Sequence, residues 1–516
     1  MHMNTNSSWF PLILVAFASF IITLDSTFMN VSISQLVVDL NTQVSVVQRI
    51  ICFYTLTTAS LMLVSSKLQD IIGKRTIFLI GAGIYGLGAL IAALSQNALM
   101  LFIGWSLLEG IGGAFMTPAV VSIISGTYSG EKRTFALAIS SAIVGIAAAI
   151  GPLFGGVVTT FLSWRYGFVF ELLIIVFIFV FHNQIKTFPT TASKSDFDVV
   201  GGILAISGLV TFVYGILTLQ HNQMNSAILM VVGCLILICF ALFETRCKKQ
   251  DKIPLLDMSL LKDRNLKAGM LIRLITNLSI GGSLFAVSIF LQSVLKLGAF
   301  STGLTLLPLT VVMMVFSILA PRLVTKLNVK SVMSIGFIIT IIGVILLRNQ
   351  FELTTGFMDL VPGLIVYGAG LGLVISLGVG IALKNIDKEK ENTASGLITT
   401  GQTLGTSMGT AIIGCLLIMG AVGGMHDAID TYAPDQISDA EFHDNVHVYF
   451  EKLGHVNTTQ LKHENTLKEK IVNTVVQDAM KLVMEVTAVI LFIGLLLTLT
   501  LKDEKINRKN KKSMSR

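Results

Sequence analysis

Apolar residues run through this chain in long blocks rather than in the narrow stripes of a water-soluble fold. Blocks near 10–32, 48–66, 76–94, 99–124, 135–158, 165–181, 199–219, 227–243, 266–295, 302–323, 332–347, 360–383, 394–419 and 480–501 stand between short polar loops. Runs of about 18 or more apolar residues mark membrane-crossing helices. The pattern predicts about fourteen spans. With both ends placed in the cytoplasm, the inner loops collect Lys67, Lys74, Arg75, Lys132, Arg133, Lys186, Lys194, the run from Arg246 to Lys267, Arg322, Lys326, Lys330, Lys384, Lys388 and Lys390. The tail adds the cations from Lys502 to Arg516. Cytoplasmic loops of membrane proteins carry this excess of Lys and Arg. One missed or invented helix would scramble the bias.

Composition agrees. The chain has 516 residues, 53% hydrophobic and 13% charged, with mean hydropathy +0.79. Soluble domains carry about 25% charged residues. The net charge of +7 would suggest nucleic acid in a soluble protein, but here it follows from the inner loops, and no nucleic-acid partner is expected. Cys52, Cys234, Cys239, Cys247 and Cys415 fall in apolar helices or a basic loop and imply no disulfide framework. The first apolar block lacks a charged n-region and cleavage site, so it reads as a retained helix.

A weak repeat organises the spans. Ser66-Lys-Leu-Gln-Asp-Ile-Ile-Gly-Lys-Arg75 after the second helix is echoed by Pro321-Arg-Leu-Val-Thr-Lys-Leu-Asn-Val-Lys330 after the tenth. Two six-helix halves related along the membrane normal are one transporter plan. The expected division is 1–182 for the first bundle, 183–264 for a linker with inserted helices 7 and 8, 265–501 for the second bundle and 502–516 for a basic tail. Residues 420–479 read as an extracellular loop. His443 and His447 in that loop have helical i,i+4 spacing, which fits a solvated amphipathic helix better than a metal site.

Three acids interrupt the apolar blocks of the first half: Asp25, Glu109 and Glu171. An ionisable side chain at membrane depth is costly and normally faces a bundle interior or water cavity. Removal from water favours the neutral form of a carboxylic acid, so such a group can hold a proton and exchange it for a cation. At 1.5 Å per residue, Asp25 lies roughly 22 Å above the inner end of its helix, Glu109 roughly 15 Å below the outer end of its own, and Glu171 roughly 10 Å deep. The alternative for each is a permanently protonated acid that serves packing alone. Arg273 is the clearly embedded base, placed to neutralise an acid across the bundle, to hold an anion, or to snorkel toward the helix end. Gly145, Gly151, Gly155 and Gly156 permit close helix approach, and Pro152 permits a bend.

At 24–31, 66–75 and 145–156 the chain resembles the major facilitator superfamily, in its fourteen-helix drug:proton antiporter branch. Leu24-Asp-Ser-Thr-Phe-Met-Asn-Val31 matches that branch's first-helix motif, which brings Asn30 in beside Asp25. Asp70, Gly73, Lys74 and Arg75 match the charged loop that in the family locks the halves in one state. Gly145 and Gly151-Pro-Leu-Phe-Gly-Gly156 match the fifth-helix antiporter motif; Ser163-Trp-Arg165 and Phe197-Asp-Val-Val-Gly201 are further landmarks. The chain departs at Ser66 and Ile71, at Arg49 where the branch has tryptophan, and at Ser106 where helix 4 usually carries arginine. That helix offers Glu109 instead, directly before Gly110. In the superfamily helices 1 and 4 line the cavity while helix 6 is more peripheral, which ranks Asp25 and Glu109 above Glu171.

The resemblance implies an all-α polytopic protein of the bacterial cell membrane: two six-helix bundles plus two inserted helices. It would work as a monomeric, proton-coupled antiporter exporting hydrophobic, cationic small molecules, with protons as co-substrate and no cofactor. An exporter of an anionic metabolite using Arg273 and Arg49 is the alternative. A non-transporting sensor contacting partners through 420–479 is a third. No phosphate-binding loop, hydrolase elbow or metal set supports an enzyme, and the missing nucleotide signature favours gradients over ATP.

Overall fold

The computed structural model describes residues 9–190, 197–219, 223–250, 254–324, 326–383, 386, 391–432 and 466–501. The described residues fold into helices: α1 Phe10–Asp39, α2 Val44–Ile72, α3 Lys74–Ala93, α4 Ala98–Thr127, α5 Gly130–Phe161, α6 Arg165–Val180, α7 Val199–Leu217, α8 Gln223–Lys249, α9 Arg264–Val294, α10 Ala299–Val324, α11 Val329–Arg348, α12 Phe357–Leu383, α13 Glu391–Tyr432 and α14 Thr466–Leu499. Thirteen are long and apolar enough to cross a membrane. The fourteenth, α6, has 16 residues and packs against α3 and α1. Backbone polar groups cannot be left bare in hydrocarbon, and helices satisfy them internally.

Three helices are irregular toward the outer side. α1 tightens to a 3-10 turn over Met29–Ser32 before resuming. α9 ends in a π-helical turn over Phe290–Val294. A second π-helical stretch, Phe102–Glu109, forms the outer half of α4. Such turns interrupt the regular ladder and are frequent at functional sites.

Within the first half, α4 crosses α3 and α2, and α1 packs on α5 and α4. Small residues set the spacing. A side chain at Gly81 would meet Phe115 and the Gly112 carbonyl at 2.8 and 2.9 Å, and one at Gly112 would meet Tyr85 at 2.6 Å. In the second half α9 is the most enclosed span, surrounded by α13, α12 and α14. Gly281, Gly282 and Gly409 let α9 and α13 touch backbone to backbone. α7 leans on α2 and α13, while α8 packs on α7 and turns Ile228, Val231, Leu235, Ile238 and Leu242 outward. Apolar exposure on that scale fits lipid rather than water.

The halves meet along two helix pairs, α2 with α13 and α5 with α10. Gln48 Nε2 donates to the Thr410 carbonyl at 3.0 Å, and Ser407 Oγ donates to the Cys52 carbonyl at 3.0 Å. Thr310 Oγ1 donates to the Ala149 carbonyl at 2.9 Å, and a side chain at Gly156 would meet the Ala299 carbonyl at 2.7 Å. Farther in, Gly145 faces open space and Phe135 and Ile146 are exposed. On α5 the contacts with α10 run from Ala149 to Thr160, toward its outer end.

Several helices extend beyond their apolar blocks, because hydropathy marks the lipid-facing stretch and not the whole hydrogen-bonded element. The ends of the segment 420–479 are helical. Residues 420–432 and 466–479 continue α13 and α14, and the two extensions pack closely: a side chain at Gly420 would meet Ala479 Cα at 2.7 Å. His426, Asp427, Lys470 and Asp478 make these turns read as loop in sequence. His443, His447 and the tail 502–516 lie outside the described residues.

The α9–α13 contact gives a direct test of packing. Replacing Gly409 by Val, against the Leu278 backbone, costs about 1–3 kcal/mol or more and lowers the melting temperature in detergent. Gly423→Ala, with nothing within 4 Å, leaves it within about 1 kcal/mol of the parent.

Candidate functional site

The three acids of the first half converge. α1 supplies Asp25, the π-helical stretch of α4 supplies Glu109 as its last residue, and α6 supplies Glu171. One carboxyl oxygen from each lies within 4.8 Å of the others, and all three residues are 0% exposed. Estimates of depth from separate helices placed them at different heights, but the structure brings them to one. Glu171, ranked third because α6 is peripheral, is an equal member of the group.

Aromatic side chains enclose the acids. Trp105 Nε1 donates to Asp25 Oδ2 at 2.8 Å. Its indole stacks on Tyr54 at 5.5 Å and meets Phe168 edge-on at 6.0 Å. Tyr85 donates its hydroxyl to Glu171 Oε2 at 3.1 Å. Glu109 is seated by glycine: a side chain at Gly88 would lie 2.8 Å from its Cγ and 2.6 Å from the Gly104 carbonyl. Gly110 brings the same turn against Tyr54 and Thr57 of α2. Ser106, where the resemblance would place arginine, donates to the Ile50 carbonyl at 2.7 Å.

Asp25 lies within hydrogen-bonding reach of Glu109 and of the Tyr54 hydroxyl, and Glu171 Oε1 has no partner. Among the described residues no ion pair reaches the three acids. Two like charges 4.8 Å apart cost roughly 3–4 kcal/mol at an effective dielectric constant near 20. Three carboxylates therefore cannot all be ionised together in this space; protons or a cation must offset them.

Arg273 does not supply the counter-charge. It is 8% exposed on α9; its guanidinium donates to the Ile375 carbonyl at 3.1 Å and to Gln402 Oε1. Its partners are neutral groups of the second half. Asn30 donates to the Ser26 carbonyl at 3.4 Å, one turn from Asp25.

The motif residues take distinct positions. Gly73 has φ +95° and joins α2 to α3, a left-handed position that glycine occupies without steric penalty. Arg75 donates to Asn183 Oδ1 at 3.2 Å, and the Lys74 ammonium lies 5.6 Å from the Phe188 ring. Both thus engage the segment after α6 in their own half. Asp70 is half-buried at the end of α2. On α5, Gly151 and Gly155 face α1 at Thr27 and Phe28, while Pro152 and Gly156 face α10 at Gly303 and Ala299. Gly145 faces open space. The motif thus wedges one helix between the Asp25-bearing α1 and the opposite half.

Sequence reasoning passed over Trp105, Tyr54, Tyr85, Gln48 and Gln292. Two signals were available. Trp105 precedes Glu109 by one turn, and glutamines inside apolar blocks need a partner.

Residues 15–410 match the Major Facilitator Superfamily. The chain is 28% identical over 417 residues, 79% of its length and 72% of the relative's, to a probable actinorhodin transporter of Streptomyces coelicolor. It is 25% identical over 420 residues, 81% of its length and 90% of the relative's, to a methylenomycin A resistance protein of Bacillus subtilis. It is 23% identical over 415 residues, 79% and 81%, to a multidrug efflux pump of Mycolicibacterium smegmatis. The fold is similar to that of an auto-inhibited POT family peptide transporter, with TM-score 0.62 at 14% identity over 96% of this chain and 97% of the other. Family, span count and burial pattern agree: this chain is a multi-pass cell-membrane transport protein, not an enzyme, and it belongs to the Major Facilitator Superfamily.

Proposed function

We propose that the protein is a proton-coupled antiporter that exports lipophilic, cationic compounds by alternating access. The observation that carries this reading is the group of three fully buried carboxyl groups without a basic partner among the described residues. Relatives named for antibiotic resistance, multidrug efflux and antibiotic transport support drugs and toxic natural products as the cargo class.

With the inner end open, a hydrophobic cation enters along α5 and binds against Trp105 and Tyr54. Its charge replaces protons on Asp25 and Glu109. The halves then rock, the outer end opens, and protons from outside return to the acids and release the cargo. One pH unit supplies about 1.4 kcal/mol per proton, and a 100 mV potential about 2.3 kcal/mol per net charge moved. Exchange of two protons for one monovalent cation draws on both. Arg273, bonded to neutral groups far along the chain, gives the anion-export reading no comparable site.

The deciding measurement is efflux of an ethidium-type dye from energised everted vesicles, with and without a protonophore. Asp25→Asn, at equal expression, slows proton-dependent efflux by about tenfold or more, equivalent to ~1.4 kcal/mol of coupling; full activity in that variant would remove Asp25 from the mechanism. Glu109→Gln keeps a folded protein but alters the pH profile or the range of cations moved. An unaltered profile assigns Glu109 to packing.

A further inference from the structure

Gln292 sits in the π-helical turn at the outer end of α9 and is 4% exposed. Its side chain crosses to the other half. Gln292 Nε2 donates to the Asn30 carbonyl at 2.9 Å, and Gln292 Oε1 accepts from the Ser34 backbone N–H at 3.0 Å. These two backbone groups are four residues apart, the pair that an uninterrupted α-helix joins to each other. Asn30 lies within the 3-10 turn Met29–Ser32, where α1 departs from regular geometry, and Ser34 lies just beyond it. A primary carboxamide carries one acceptor and two donors and so matches a peptide N–H and C=O at once. Insertion of a side chain into the helical ladder is a recognised cause of a local break.

We infer that Gln292 is the latch of the outer gate: its carboxamide splices into the backbone of α1, holding the two halves together and α1 in its tightened form. When the outer end opens, Gln292 withdraws and the Asn30 carbonyl and Ser34 N–H are free to pair with each other. The gate thereby exchanges an inter-half contact for an internal helix bond, so neither state leaves buried backbone groups bare. Asp25 is five residues before Asn30, roughly 7.5 Å along the same helix, so movement at the acids reaches the latch within two turns. Neighbouring contacts give the latch a firm seat. Ser32 and Thr159 share a hydroxyl bond at 2.6 Å, and Phe300 N donates to Thr160 Oγ1 at 3.0 Å.

This inference rests on the alternating-access part of the proposed function, but its test needs neither a drug nor a proton gradient. Cys52 is a native reporter, 0% exposed on α2 and hydrogen-bonded to Ser407 of the opposite half. In a variant with Cys234, Cys239, Cys247 and Cys415 replaced by serine, reconstituted in sealed liposomes, a membrane-impermeant maleimide is applied from the outer side. Gln292→Leu raises the rate of Cys52 labelling by about tenfold, the population shift produced by a loss near 1.4 kcal/mol. Relative to the parent at the same pH, which cancels the greater reactivity of the thiolate, Gln292→Glu restores protection in acid, where the neutral carboxyl group offers one donor and one acceptor, and loses it in alkali, where the donor is gone. A cavity left by a merely structural residue would give no such reversible dependence. Labelling that stays at the parent rate in Gln292→Leu, or a Gln292→Glu to parent rate ratio that is the same at every pH, overturns the latch. Should dye efflux fail to follow protons while Cys52 labelling responds as described, the antiport reading falls and the latch stands.

Discussion

Everything in the first half is arranged so that three carboxyl groups can stand close together away from water. Such a group is unstable if all its members ionise, and nothing basic among the described residues relieves it. The surroundings are built for neutral or charge-shared forms: an indole N–H and a phenol hydroxyl donate from the walls, and Asp25 and Glu109 lie within hydrogen-bonding reach of each other. A π-helical stretch and two glycine contacts carry Glu109 to a spot that a regular α4 with larger neighbours would not reach. The same lack of compensation that makes the group costly makes it responsive, since any proton or cation that arrives removes a large part of the cost.

Responsiveness at one place becomes transport only if the halves sense it. α5 is the element in a position to do so, with glycines on one face against the Asp25-bearing helix and Pro152 and Gly156 on the other against α10. Contacts made through glycine bring backbone against backbone, with no flexible side chain to absorb a displacement. A change in the lean of α1 is therefore delivered to the second half with little loss. The outer ends of α1 and α9, each irregular and each touching the other half, complete the mechanical circuit.

Much of this plan was visible in the amino-acid order, and the reasons are physical. Lipid tolerates neither charge nor bare backbone, so apolar blocks and basic loops reported the spans and their direction. Asp25, Glu109 and Glu171 stood out because each contradicts its surroundings. What stayed hidden depends on rotation and contact. Helical wheels assume a regular repeat, and α4 abandons it between Phe102 and Glu109, so the alignment of Glu109 with Asp25 was not readable from spacing. The peripheral place of α6 hid that Glu171 points inward to Tyr85. Arg273 drew attention as a lone cation, yet a carbonyl and an amide satisfy it, and residue type alone says nothing about the neutral partners a folded bundle can provide. The outward continuations of α13 and α14 carry too many charges to be seen by hydropathy, although Gly420 and Gly424 of α13 pack tightly against α14.

The outer tip of α1 is held by a clasp whose effect reaches beyond local stability. Trp164 Nε1 donates to Asp39 Oδ2 at 2.9 Å, and Arg165 bonds both Asp39 and the Ser95 carbonyl, tying the tip to the start of α6 and the end of α3. A rod anchored at one end cannot slide along its own axis; it can only swing or flex. The tightened turn at Met29–Ser32 lies between that anchorage and Asp25, like the thinned section of a spring. Under the proposed exchange, a change at the acids would be turned into angular travel of the cytoplasmic length of α1, where a given tilt sweeps the widest arc.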